Sequence, residues 1–138
     1  MKLRFDRTVA KHGLTDAGGI YGYEFSALMS FREAQRRGLT RIYEVPSPPH
    51  GFVQSLIQRE IEQFPELDDR KRKYFLARQT RRSERQKQEW SFADAVNANS
   101  TFTRDSYAAA GFDIGKLRIS IREGAHYIFS EQTSCHAT

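Results

Sequence analysis

The clearest periodic pattern in the sequence is helical and lies at residues 50–64. Its apolar positions recur every three or four residues, with glutamines and glutamates between them: Val53, Leu56, Ile57, Ile61 and Phe64. Residues 24–37 show the same spacing and are followed by Gly38, where a left-handed glycine would end a helix. We therefore predict amphipathic helices at 24–37 and 50–64.

Other segments alternate between apolar and polar residues, which is typical of strands. We predict a short strand at residues 1–9, a strand at 40–45, and a β-hairpin in which 117–121 and 126–130 pair across a turn at Gly124 and Ala125. Residues 11–22 and 97–101 have the composition of a loop and a turn, and 104–110 that of a short helix before Gly111. The glycines of 11–22 match no phosphate-binding motif.

This order of elements predicts one α+β domain over residues 1–138. We expect a small antiparallel or mixed sheet containing the C-terminal β-hairpin, packed by three or four helices. One of these helices, in the segment 68–90, is long and strongly basic. That segment either projects from the domain or docks on it.

The charge distribution makes this segment the most distinctive part of the chain. The 138 residues carry a formal net charge of +5, yet residues 70–87 alone hold nine Lys or Arg and one Glu. The rest of the chain is mildly acidic, so the basicity is local and indicates a local use. Arginine outnumbers lysine in the segment, which favours bidentate contacts with phosphate or carboxylate.

We therefore expect a non-catalytic accessory protein that binds nucleic acid, DNA or RNA, or associates with a nucleoprotein, and that contacts phosphates through an Arg-rich helix. Like charges held on one helical face repel, and phosphates facing them would remove that cost. The outer face of the predicted β-hairpin adds two arginines to the same hypothesis. The expected contact residues are Lys71, Arg78, Arg81, Arg82, Arg85, Lys87, Arg118 and Arg122.

Two alternatives stay open at this point. The basic helix could instead dock on an acidic protein surface, as in a small inhibitor or adaptor of the kind that mobile elements and phages encode. A metal-independent ribonuclease is the third hypothesis, with His126 as acid or base, Glu123 opposite it, and Arg122 stabilising the phosphorane.

The remaining chemistry of the sequence is sparse. The single cysteine, Cys135, excludes an intramolecular disulfide, and the four histidines have no ligand partners at zinc-like spacing. We expect no metal site and no cofactor. The chain has no apolar run long enough to span a bilayer and no signal-like N-terminus, so we expect a cytoplasmic protein that does not contact membranes.

Overall fold

The computed structural model describes residues 2–68, 72–123 and 126–129, with side chains over 4–66, 68 and 80–120. Its helices and strands alternate along most of the chain, and 3₁₀ turns at Pro65–Leu67 and Ile114–Lys116 connect some of them. In chain order the elements are α1 (Lys2–His12), β1 (Gly19–Tyr23), α2 (Leu28–Arg36), β2 (Thr40–Val45), α3 (His50–Gln63), α4 (Arg72–Phe92), β3 (Ala95–Ala98), α5 (Thr101–Ala109), β4 (Leu117–Glu123) and β5 (His126–Phe129).

Strands β1 to β4 form an all-parallel sheet in the order in which they occur along the chain. The predicted fold class, an antiparallel or mixed sheet built around a C-terminal β-hairpin, is therefore wrong. Helical segments connect successive strands, and such crossovers are what parallel pairing requires. The second half of β4 pairs antiparallel with β5 beyond this four-stranded sheet. The broader expectation of a domain that combines helices with a sheet is confirmed.

One face of the parallel sheet packs against the helices and forms the core. Tyr43, Val96 and Leu117 lie side by side on that face, where strand register aligns them, and all three are buried. Trp90 of α4 stacks on Tyr107 of α5 at a ring distance of 4.7 Å and completes the core from the helical side. Phe31 of α2 belongs to the same cluster, so the core is shared between β2, β3, β4 and the three helices α2, α4 and α5.

The opposite face of the sheet is polar and aromatic. Tyr21 is 57% exposed, and its hydroxyl donates a hydrogen bond to the Glu44 carboxylate of the next strand. Asn97 of β3 extends this row, because its amide nitrogen lies 2.8 Å from Glu44 and 2.9 Å from the Ser120 hydroxyl. These hydrogen bonds tie the four parallel strands together on the side away from the core.

The N-terminal predictions are wrong, because tertiary contacts decide the structure there. Residues 1–9 were expected to form a strand, but α1 covers most of that segment, and the buried Asp6 of α1 reaches the start of α2. The predicted loop at 11–22 contains most of β1. Gly22 lies in this strand for steric reasons, since a Cβ atom there would approach Ala27 Cβ to 2.5 Å and Phe31 to 2.6 Å.

The predictions for the middle of the chain agree better with the structure. Strand β2 has the predicted bounds, α3 ends one residue before the predicted limit, and α2 is followed by Gly38 at φ +70°. Strand β3, however, was missed, because its four residues overlap the segment interpreted as a turn. Ser100 then caps α5 by accepting a hydrogen bond from the Thr103 amide, so the helix begins before residue 104.

Candidate functional site

The structure describes the side chains of five of the eight predicted contact residues. Lys71 lies outside the described residues, and only the backbone is described for Arg78 and Arg122. The ribonuclease residues Glu123 and His126 are likewise described only as backbone, on paired strands. The five described side chains belong to Arg81, Arg82, Arg85, Lys87 and Arg118. They have very different surroundings.

Arg85 lies inside the protein and bridges two carboxylates. Its Nε donates to Glu89 at 2.9 Å, and a terminal nitrogen donates to Asp6 at 2.7 Å. The arginine side chain is 17% exposed, and both carboxylates are fully buried. Buried charges of this kind are tolerated only when they are paired and hydrogen-bonded. Arg85 is therefore engaged within the fold and joins α4 to α1.

The two buried carboxylates also bind the backbone at the start of α2. Glu89 accepts hydrogen bonds from the amides of Phe25 and Ala27 at 2.8 and 3.1 Å. Asp6 accepts from the amides of Met29 and Ser30 at 2.8 and 2.9 Å. The first amides of a helix have no partners within it and carry a partial positive charge, so a carboxylate stabilises them.

This arrangement has a consequence for ligand binding at the first strand-to-helix loop. In nucleotide-binding α/β folds, the phosphate occupies that loop and the helix N-terminus after it. Here Glu89 and Asp6 supply the negative charge from within the chain. Tyr43 donates its hydroxyl hydrogen to Glu89 at 2.6 Å, and burial together with that carboxylate raises the pKa of Tyr43. The loop is thus filled by the protein's own groups.

A second buried network lies where β1 and β2 end. Glu24 accepts hydrogen bonds from the Ser47 hydroxyl at 2.9 Å and from the Gln86 amide at 2.5 Å. The same Gln86 amide lies 2.6 Å from the Tyr107 hydroxyl, and burial and Glu24 raise the pKa of Tyr107. Gln86 is 1% exposed. This half of the basic helix is consequently docked on the sheet and on α5.

Phe25, His50 and Arg82 form a cluster beside this network. The ring of Phe25 stacks on His50 at 5.0 Å, and the Arg82 guanidinium lies 5.6 Å from the centre of the same ring. Phe25 has φ +65°, a strained conformation for a bulky residue. Burial and, to a smaller extent, Arg82 lower the pKa of His50, and its Nε2 atom is buried without a hydrogen-bond partner among the described residues. Arg82 itself contacts no described carboxylate.

A cleft of about 380 Å³ opens next to this cluster, between α3, α4 and α5. Its lining includes the residues that follow His50 and Arg82 in sequence, Gly51 and Ser83. The Ser83 hydroxyl oxygen is buried and has no partner in the described part of the chain. Hydroxyl and amide side chains alternate with Phe52 and Phe112 along its walls. The cleft is therefore suited to a small polar molecule with an apolar side.

The exposed basic residues are distributed over more than α4. Arg4, Arg7 and Lys11 lie on the outer surface of α1, and Arg81 lies on α4 one helical turn before Arg85. All four are exposed, and none forms an ion pair within the described residues. We call these four exposed cations, on two helices linked by the Asp6–Arg85 ion pair, the basic surface. Sequence reasoning missed its α1 members, although their spacing of three and four residues is a helical signal.

Several other exposed cations already have partners. Arg36 and Arg37 both donate to Glu33, and these hydrogen bonds lower the pKa of Glu33 to about 2. Lys87 lies 3.6 Å from Glu84. Arg118, on the polar face of the sheet, donates to backbone carbonyl oxygens of its own neighbourhood. These residues contribute less free positive charge than the basic surface.

Three findings limit the chemistry that can be assigned. Over the residues that the structure describes, no group of three or more His, Cys, Asp or Glu side chains could hold a metal ion. Within the same residues, no helix combines the length and apolar character needed to cross a bilayer. No protein-family model matches the chain, and no curated protein matches it.

Proposed function

We propose that this protein is a non-catalytic accessory protein that binds nucleic acid through the basic surface of α1 and α4. The observation that carries the proposal is that α1 and α4, which the Asp6–Arg85 ion pair joins, carry four exposed cations without acidic partners among the described residues: Arg4, Arg7, Lys11 and Arg81. Such a surface attracts phosphates and gains free energy when bound counterions are released.

The charge on α1 supports this proposal independently of α4. The helix contains four basic residues and one acidic residue, and that acidic residue is the buried Asp6. Every charge that α1 presents to solvent among its described side chains is therefore positive. The Asp6–Arg85 ion pair joins α1 to α4, so the two helices that carry these cations contact each other.

The predicted contact residues divide under this proposal. Arg85 is excluded from the surface because it is occupied by Asp6 and Glu89. Lys71, Arg78, Arg82, Lys87, Arg118 and Arg122 stay predicted contacts. Contacts between cations and phosphates do not distinguish one base from another. We therefore expect binding that is governed by charge and not by nucleotide sequence.

The test is the salt dependence of binding to labelled single-stranded and duplex oligonucleotides, measured by fluorescence anisotropy between 50 and 300 mM salt. We expect a steep loss of affinity with salt for the unmodified protein. Replacing Arg4, Arg7, Lys11 and Arg81 with Gln removes four phosphate contacts at most. This should flatten the slope of log K against log salt by about 3 to 4 for a duplex.

A matched control removes the same number of charges elsewhere. The variant with Arg32, Arg36, Arg37 and Arg59 replaced by Gln has the same net charge, and its substitutions also lie at exposed positions. We expect its salt slope to change far less. Equal slopes for the two variants, or no oligonucleotide binding at 50 mM salt, would overturn the proposal. If the protein does not bind oligonucleotides but binds an acidic protein surface, that result would favour the inhibitor or adaptor hypothesis.

A further inference from the structure

The cluster of Phe25, His50 and Arg82 lies at the carboxyl ends of β1 and β2 and shares no residue with the basic surface. Ligands of parallel α/β sheets bind outside the carboxyl ends of the strands. Phe25 follows β1 by two residues, and His50 follows β2 by five and begins α3. Arg82 joins them from α4 across the Phe25 ring. Three elements thus converge at the edge of the sheet where ligands are expected.

The groups at this edge are suited to one anion. Arg82 is partly buried and, among the described residues, has no acidic partner, so its fork of N–H donors is available to a phosphate or carboxylate. The N-terminus of α3 follows Pro49, and no side chain caps its first amides. Those amides add partial positive charge beside His50. The N-terminus of α2 is different, because the carboxylates of Glu89 and Asp6 already bind its amides.

Phe25 holds the arginine and the histidine in place. Its strained backbone is fixed by the hydrogen bond from its amide to the buried Glu89, so the ring cannot relax away from its neighbours. Non-glycine residues with positive φ persist only where the surrounding structure enforces them, and they concentrate at binding sites. Arg82 and His50 thereby both pack on a ring whose backbone is already fixed before any ligand arrives.

The cleft provides space for the rest of a ligand. It begins at Gly51 and Ser83, one residue from His50 and Arg82, and its volume is in the range of small-molecule sites. The cleft is lined by Lys87 together with hydroxyl and amide side chains and the rings of Phe52 and Phe112. A partly buried arginine beside a cleft of this composition indicates a phosphorylated polar molecule.

We propose that this protein binds a small phosphate monoester, with its phosphoryl group at Arg82 and the first turn of α3 and its polar body in the cleft. The site uses none of the four residues of the basic surface, so the proposal goes beyond nucleic-acid binding and does not depend on it.

The experiment is isothermal titration calorimetry with inorganic phosphate and with adenosine monophosphate as probes. We expect both to bind, the nucleotide more tightly because it also fills the cleft. Arg82→Gln should weaken both by about tenfold or more, since a charge-assisted hydrogen bond is lost. Arg59→Gln is the matched control, because it removes the same charge from an exposed position outside both proposed sites and should leave both affinities unchanged.

A second variant separates the two parts of the site. Ala109 is exposed and lines the cleft, so Ala109→Phe should weaken the nucleotide while leaving inorganic phosphate binding unchanged. Failure of both probes to bind at 10 mM, or equal losses in Arg82→Gln and Arg59→Gln, overturns the proposal. So does a result in which Arg82→Gln weakens oligonucleotide binding while the mononucleotide does not bind. That result would make the nucleic-acid backbone the source of the phosphate.

Discussion

Arg81 and Arg85 lie one helical turn apart on α4, yet their guanidinium groups have opposite surroundings. Arg81 is exposed and has no ion-pair partner within the described residues. Arg85 is largely buried and donates hydrogen bonds to Asp6 and Glu89. The two residues have the same charge and lie only four positions apart in the sequence. One belongs to the surface that we propose binds nucleic acid, and the other holds the fold together.

The difference shows why a count of basic residues is a poor guide to a binding surface. Removing a buried cation leaves its carboxylates unpaired in a medium of low polarity, which is costly. Removing an exposed cation changes stability little, because water already screens its charge. An arginine is available to bind a partner only where the fold does not require it for an internal ion pair. The contrast between the two residues can be tested directly.

The largest effect should follow the loss of Glu89. Glu89→Ala leaves the Phe25 and Ala27 amides and the Tyr43 hydroxyl without their acceptor and removes one of the two partners of Arg85. We expect the free energy of unfolding, measured by urea denaturation, to fall by about 3 to 5 kcal/mol. The exposed Glu84 is the control, and Glu84→Ala should change stability by about 0.5 kcal/mol or less. Similar losses in both variants would contradict the buried network.

Arg85→Ala should have the next largest effect. Both carboxylates keep their backbone amide donors, so the expected loss of unfolding free energy is about 3 kcal/mol, the lower end for a broken buried pair. Arg81→Ala should leave stability within about 0.5 kcal/mol of the unmodified protein and weaken oligonucleotide binding instead. The reverse pattern, with Arg81 needed for stability and Arg85 for binding, would refute the division between the two residues.

The fold was predictable where a segment carries its own pattern. Strand β2 and helix α3 have the predicted type and nearly the predicted limits, because their apolar spacing is local information. Helix α1, strand β1 and strand β3 depend on remote partners. Asp6 binds the start of α2, and β3 lies between β2 and β4, with which it pairs in parallel. Parallel pairing joins strands that are far apart in sequence, so neither the pairing nor its register could be predicted locally.

The candidate site was likewise predictable only where its contacts are local in sequence. The sequence identified α4 as the basic helix, and the spacing of Arg85 and Glu89 by four residues was a visible sign of an internal pair. The Asp6–Arg85 pair, which joins residues 79 positions apart, could not be predicted from spacing. The same holds for the contact of Arg82 with Phe25, and for the cations of α1, whose segment was interpreted as a strand.

The smallest of these effects concerns His50, which lies beside Arg82, an arginine intermediate between exposed Arg81 and buried Arg85. Burial and the nearby Arg82 charge lower the pKa of His50, while Phe25 covers one side of its ring. In the unfolded chain the imidazole takes up a proton near pH 6.5, and in the folded protein it does so only at lower pH. Between those limits the unfolded state binds more protons, so stability falls as the pH falls below about 6.5.

Urea denaturation between pH 7.5 and 5.5 should show this decrease of stability with falling pH, and His50→Gln should reduce it. The exposed His12 is the control, and a His12→Gln variant with the same loss of slope would remove His50 as the cause.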